Sequence, residues 1–227
     1  MRLGIIGAMQ MEVDALQAAM EAPVSETVSG ITFVTGRIGK HDIVAAQCGI
    51  GKVFAAMCAQ TMILKYSPEA IINIGVAGSV TKGLQVLDIA VADKVCQHDM
   101  DTSPLGDPKG LISGINQIFF PADAHLVQVI SRAAEAKGCR SIIGTVASGD
   151  QFIHTQEQKT FIRETFGASA AEMEGGSIGH VCTVNNVPFA VLRTISDGDG
   201  AAMDYAVFAP KAATQSIEVI MEALKLL

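Results

Sequence analysis

Two short stretches constrain the fold more than any other part of the chain: Ala171-Glu172-Met173-Glu174-Gly175-Gly176-Ser177 and Leu192-Arg193-Thr194-Ile195-Ser196-Asp197-Gly198. Each is an apolar run that reaches a carboxylate and then glycine, as a buried strand does when it passes into a loop or helix at the carboxyl edge of an α/β sheet. Open α/β sheets bind their ligands at that edge. An arginine and three acids gathered there would be costly to desolvate unless they pair or perform chemistry, which makes both stretches candidate functional segments.

The remaining pattern supports the same architecture. Strands are expected at Arg2 to Ile6, Ile31–Arg37, His41–Cys48, Ala70 to Ile74, Asp88 to Val95 and Ser141 to Ala147, the second and third forming a hairpin across Gly39-Lys40. Helices are expected from about Met11 to Met20, Val53 to Tyr66, Asp123 through Lys137, Thr155 to Thr165, Ser177 to Asn186 and Asp204 to Leu227. Gly75-Val76-Ala77-Gly78-Ser79 reads as a turn of small residues, where backbone N–H groups approach a ligand. A hydrophobic fraction of 49% against 17% charged favours a sheet covered on both faces. The expected fold class is α/β: a three-layer sandwich with a central mixed β-sheet flanked by helices, as one domain over residues 1–227.

Several function classes are disfavoured. A formal net charge of -7 without any basic run argues against nucleic acid as a partner. The five cysteines are scattered and lack a C-x-x-C pair, which suggests reduced core residues, and no metal is expected. His98 has two acids nearby but no second histidine at ligand spacing, so it reads as a loop histidine with hydrogen-bond partners. The N-terminal apolar run is broken by Gln10 and Glu12, too soon for a signal peptide, and no stretch approaches a membrane span. No membrane partner and a cytoplasmic location are therefore expected. Gly4-x-x-Gly7 is not a dinucleotide fingerprint, and Gly49-Ile50-Gly51-Lys52 lacks the spacing and hydroxyl residue of a phosphate loop. Glu12 and Asp14 fall in a first helical turn, where acids complement the helix dipole, but Glu12 also stands beside a strand's carboxyl end. Phe152 reads equally as core or as a stacking surface for a planar ligand. Residues 102–122 are a Gly/Pro-punctuated segment with Leu105, Leu111, Ile112, Phe119 and Phe120, suited to function or to a subunit contact.

Four separated motifs, in order, resemble one family. Gly4-Ile5-Ile6-Gly7-Ala8-Met9 with Glu12, Ser148-Gly149-Asp150-x-Phe152-Ile153, Glu172-Met173-Glu174 and Arg193-x-Ile195-Ser196-Asp197 are similar to the bacterial 5′-methylthioadenosine/S-adenosylhomocysteine nucleosidases, of the nucleoside phosphorylase fold. The resemblance runs from Met1 to the C-terminal helix. It implies hydrolysis of the N-glycosidic bond of a small-molecule 5′-thioadenosine nucleoside, without a cofactor, in a homodimer that suits the 102–122 region. Position by position, Asp197 would protonate adenine N7 with Ser196 placing it, and Glu12 would activate water. Glu174 would hold the ribose hydroxyls, Met173 would lie against the sugar, and Arg193 would organise the water and the acids. Gly78 is the matching glycine of the turn, Phe152 and Ile153 would contact adenine, and Met9, Ile50 and Tyr205 would meet the 5′ group. Val76 departs from the serine that relatives often carry, and the 198–205 loop is short.

The chemistry asks for these residue types independently. Cleaving C1′–N9 leaves a cationic sugar and an anionic purine, so one acid must be protonated and another ionised. An ordinary aspartate, with a pKa of about 3.9, is charged at neutral pH, so burial is expected to raise that of Asp197. Two alternatives stand beside hydrolysis. A phosphate-dependent nucleoside phosphorylase of the same fold would need an anion site, for which Asn73-Ile74-Gly75-Val76 offers neither Arg nor Thr. A non-catalytic sensor would bind adenosine analogues and leave them intact.

Overall fold

The strand β1 (Arg2–Gly7) buries every residue after Arg2. A strand with no exposed face must be covered on both sides, as its unbroken Leu-Gly-Ile-Ile-Gly run requires. The computed structural model describes residues 1–198 and 202–227, without the side chains of Ala202 and Met203, and it builds two further strands in this way. These are β5 (Ala70–Ser79), buried at nine of ten positions, and β10 (Phe189–Asp197), buried throughout.

Together with β2 (Glu21–Val28), β3 (Ile31–Ile38), β4 (His41–Gln47), β6 (Ile89–Gln97), β7 (Phe119–Pro121), β8 (Ser141–Ser148) and β9 (Ala168–Glu172), the described residues form one ten-stranded mixed sheet. From the outer edge the order is β2-β3-β4-β1-β5. β5 then pairs parallel with β10 along most of its length and, at Gly78 and Ser79, antiparallel with β9. The path β10-β6-β8-β9 returns to β5, so five strands close a ring.

Helices cover both faces. On one, α1 (Asp14–Ala18), α3 (Ala124–Ala136) and α6 (Ala202–Leu226) pack Leu16, Ile130 and Ile220 against Leu3, Ile5 and Ile72. On the other, α2 (Lys52–Tyr66) and α5 (Gly175–Val184) set Met62 and Ile178 against Ile6, Ile71 and Val191. α4 (Gln156–Phe166) presses Ile162 and Phe166 onto Ala147, Ala168 and Ala171. Each fully buried Leu or Ile contributes about 1.5–3 kcal/mol, whereas buried ion pairs roughly break even against desolvation. The two apolar layers therefore hold the fold, and the charged cluster between them is carried at a cost.

Three expectations are corrected and one strand is added. The helix expected from Met11 to Met20 is a 3₁₀ turn (Gln10–Glu12) followed by the short α1, because the Glu12 side chain folds back onto backbone N–H groups and tightens the chain there. β2 has no buried residue and so no apolar alternation to reveal it; it is an edge strand, with a register shift between Glu21 and Val24 that accommodates Pro23. β5 does not turn at Gly75 but runs on to Ser79. Within 102–122, Phe120 is fully buried and stacks on His180 with centroids 5.1 Å apart, whereas Leu105 is 83% exposed. Of the short 198–205 loop read from the sequence, residues 199–201 fall outside the described residues, and α6 begins at Ala202. Among the described residues no helix is long and apolar enough to cross a membrane.

Candidate active site

Where β5, β9 and β10 end, the sheet edge opens into a cavity of about 300 Å³. The end of β10 supplies the acid. Its pairing with β5 slips between Ile195 and Asp197, so Ser196 is an extra residue in the ladder. Such a bulge re-aims side chains, and here two consecutive residues line one cavity instead of facing opposite sides. Ser196 Oγ donates to Asp197 Oδ1 at 2.8 Å. Asp197 Oδ2 is buried and has no hydrogen-bond partner among the described residues. Burial pushes the Asp197 carboxyl above its ordinary pKa, opposed by the Ser196 hydroxyl and the Lys159 ammonium. A buried acid with one unmatched oxygen is a carboxyl that gains from keeping its proton.

Across the cavity stands Glu12, 1% exposed. Its Oε2 accepts from the N–H groups of Ala8 at 2.7 Å and Met9 at 2.8 Å, and its Oε1 accepts from Val76 N–H at 3.0 Å. Burial pushes its pKa up, while the Arg193 charge and these three donors pull it down. The donors fix both oxygens in place, and they are possible because the chain between Met9 and Glu12 turns so tightly.

The small residues of β5 make room for these groups. A Cβ on Gly78 would lie 2.8 Å from Asp197 Oδ2, and one on Gly75 would lie 2.2 Å from Arg193 Nη1 and 2.5 Å from Glu12 Oε1. The glycines read from the sequence as a turn are thus sites of close side-chain approach along a continuing strand.

Arg193 is 0% exposed and does not line the cavity. It lies behind the wall, where Nη2 donates to Asn73 Oδ1 and Glu172 Oε2, Nη1 donates to the Ile74 carbonyl at 3.2 Å, and Glu174 Oε2 lies 3.6 Å away. Glu172 has two structural roles. It pairs with Arg193, and its Oε2 accepts the Glu174 and Gly175 N–H groups at 3.0 and 2.8 Å, satisfying the start of α5. Its other oxygen receives the Ser148 hydroxyl. Glu174 Oε1 accepts from Gly51 N–H at 2.8 Å, and burial first, then the Glu172 charge, pushes its pKa up. Gly51 adopts φ +98° with Asp150 Oδ1 2.9 Å from where a Cβ would sit, so Gly49-Ile50-Gly51-Lys52 serves as a brace for Glu174.

The rest of the wall is apolar. Met173, Ile153 and Phe152 line it with Met9 and Ile50, and Tyr205 closes one side. Tyr205 meets Phe152 edge-on at 5.6 Å and directs its hydroxyl to Met9 Sδ at 3.3 Å. Phe152 is therefore cavity wall, 43% exposed, and not core. Every site residue read from the sequence borders the cavity except Arg193. The sequence reading assigned no place in the site to Asn73 and Ser148, polar residues inside otherwise apolar strands, or to Gln151, Ala8 and Ala171 in the wall. A lone polar residue in a buried strand was the available signal for the first two. His98, expected as a loop histidine with hydrogen-bond partners, does sit in a turn but is buried, and its Nε2 has no partner among the described residues. It packs where Gly149 leaves space, with a Cβ there lying 2.4 Å from Nε2.

The assembled site holds four carboxyl groups, Glu12, Glu172, Glu174 and Asp197, and among the described residues that line it none is cationic. Such a site can deliver a proton from one wall, hold an ionised carboxylate on another, and stabilise positive charge that develops between them.

The sequence pattern of the phosphorylase superfamily matches residues 2–225. The chain is 37% identical over 227 residues to the 5′-methylthioadenosine/S-adenosylhomocysteine nucleosidase of Haemophilus influenzae, covering 99% of each chain. Among solved structures it is similar to an aspartate-to-asparagine mutant of the Helicobacter pylori 5′-methylthioadenosine nucleosidase with 5′-methylthioadenosine in the active site, at a TM-score of 0.95 and 34% identity over 100% of this chain and 99% of that one. It is likewise similar to the futalosine hydrolase of Helicobacter pylori, at a TM-score of 0.94 and 34% identity over 100% of this chain and 98% of that one.

Proposed function

Because this chain belongs to the phosphorylase superfamily and, within it, to the 5′-methylthioadenosine/S-adenosylhomocysteine nucleosidases, we infer that it hydrolyses the N-glycosidic bond of 5′-methylthioadenosine and S-adenosylhomocysteine. The products are adenine and the corresponding thioribose. 5′-Deoxyadenosine, which keeps the adenosine core and lacks only the sulfur substituent, is a further substrate on this reading.

The observation that carries the mechanism is the buried Oδ2 of Asp197, without a partner among the described residues, opposite a Glu12 carboxylate held by three N–H groups. In the step we assign, Asp197 gives its proton to adenine N7 as the C1′–N9 bond breaks. The bonding pair leaves with the purine, and the sugar becomes oxocarbenium-like. Glu12 takes a proton from water, whose oxygen forms the new bond at C1′. Glu174 receives the ribose hydroxyls and Met173 packs on the sugar, with Phe152 and Ile153 bordering the adenine and Gly78 leaving room for the acid. Met9, Ile50 and Tyr205 are left for the 5′ substituent. Arg193 acts from behind the wall, pairing with Glu172 and lying 3.6 Å from Glu174 Oε2, and so holds both side chains in place.

Water is the nucleophile on this reading because a phosphate would enter a cavity bounded by four carboxyl groups and, among its described lining residues, no cation. The exposed Leu105 supports a homodimer joined through the 102–122 region, and five free thiols suit the reducing cytoplasm. Chromatography of free adenine tests the acid. Asp197→Asn should lower turnover by about 10²–10⁴-fold with binding retained; turnover near that of the wild type would remove Asp197 from the role.

A further inference from the structure

α4 carries a lysine on its buried face. Lys159 lies with Ile162 and Phe166 on the side turned to the sheet and is 3% exposed. Lysine is almost never buried so deeply without a partner, since its ammonium loses hydration that acceptors must replace. Here Nζ donates to the carbonyl of Gly198, the residue that follows Asp197. The N–H of the same glycine donates to Asp204 Oδ2 at 3.3 Å, in the first turn of α6. Both backbone groups of Gly198 are thus taken by side chains of opposite charge from two different helices. On this side of β10 a second cavity, of about 550 Å³, is bordered by Lys159, Asp204, Arg163 and Lys82.

Resting on the reading of Asp197 as proton donor, we propose that Lys159 is a positioning residue for that proton transfer. Through the Gly198 carbonyl it fixes the peptide that carries the acid, and it keeps a positive charge beside the carboxylate that forms when the proton leaves. The balance is simple. The Asp197 O–H bond breaks, the purine N7–H bond forms, and the negative charge that appears on Asp197 does so within the field of a cation already in place. Such a charge costs no reorganisation at the moment of reaction.

The charged groups around Asp197 act in opposite senses. Lys159 from α4 favours the ionised carboxyl, and Asp204 from α6 favours the protonated one. Across the main cavity stand Glu12, Glu172 and Glu174, while Arg163 and Lys82 border the second cavity. Burial sets the acid's pKa high, and Lys159 keeps it from rising so far that the proton is held too tightly to be given up. Because Lys159 touches no reacting atom, its loss should weaken the acid without emptying the substrate cavity.

The test compares the wild type with Lys159→Gln, Lys159→Met and the charge-retaining Lys159→Arg. Two readouts are followed: the pH dependence of kcat/KM for adenine release, and the titration of the Asp197 carboxyl by ¹³C NMR, assigned with Asp197→Asn. The neutral variants should move both the carboxyl titration and the alkaline limb upward by about one pH unit. Their kcat should fall by about tenfold with KM changed less than about twofold, and Lys159→Arg should restore the wild-type profile. A lost packing contact would not move the titration upward, so an unmoved Asp197 titration in the folded neutral variants overturns the proposal. The NMR readout needs no turnover: if the wild type released no adenine, the nucleosidase reading would fail by itself, and the role of Lys159 would still be decided by the titration.

Discussion

Asp197 combines a catalytic requirement with a thermodynamic cost. Its carboxyl is buried, with Ser196 on one oxygen and, among the described residues, no partner on the other, so the folded protein favours the protonated form. A carboxyl whose folded pKa is raised stabilises the fold fully below its unfolded pKa, and that contribution is lost as pH rises through the folded value. The stability of Asp197→Asn relative to the wild type should therefore increase from pH 5 to pH 8, as read from urea midpoints; a pH-independent difference would mean that the acid is not held neutral. Gly78 tests the geometry of the same group. A methyl group there would sit 2.8 Å from Oδ2 and must displace the carboxyl. Gly78→Ala should lower kcat by about 100-fold while the melting temperature changes little, because displacements of about 1 Å are costly to a positioned reaction.

At the scale of elements, the segment 102–122 divides into two kinds of apolar residue. Phe120 belongs to β7 and is sealed beneath α5, so Phe120→Ala should cost about 3–5 kcal/mol in urea unfolding. Leu105 stands in solvent, and Leu105→Asp should leave the fold of the chain intact while weakening self-association, measured by sedimentation velocity. An unchanged association constant would remove Leu105 from the proposed dimer contact. The same segment shows what sequence could and could not reveal. β1, β5 and β10 are legible because strands buried on both faces leave unbroken apolar runs that end in glycine or acid, and β8, buried only over its last four residues, is legible from its apolar stretch before Gly149. β2 is not, since an exposed edge strand has no burial pattern. The early helix was overestimated because Glu12 spends its side chain on Ala8, Met9 and Val76 instead of continuing the turn. The glycines of β5 signalled close approach correctly but hid that the strand continues, because backbone room for a carboxyl and backbone freedom for a turn both call for glycine.

For the molecule as a whole, ring closure is what brings the site together. β5 joins β10 on one side and β9 on the other, so Asp197, Glu174 and Glu12, distant in sequence, end at one edge. The motif acids could be read from the chain; the buried Arg193 network behind them and Lys159 beside them could not, because a charge in an apolar run shows that something must pair with it without showing what. The resulting cavity, acidic and without a cation among its described lining residues, suits a positively charged sugar and repels an anionic nucleophile. The most direct measurement of this account is turnover of 5′-methylthioadenosine in H₂¹⁸O without phosphate, followed by mass spectrometry of the products. The account predicts stoichiometric free adenine, one ¹⁸O in the thioribose and no change in rate when phosphate is added. Adenine that appears only with phosphate, accompanied by a sugar phosphate, would contradict it.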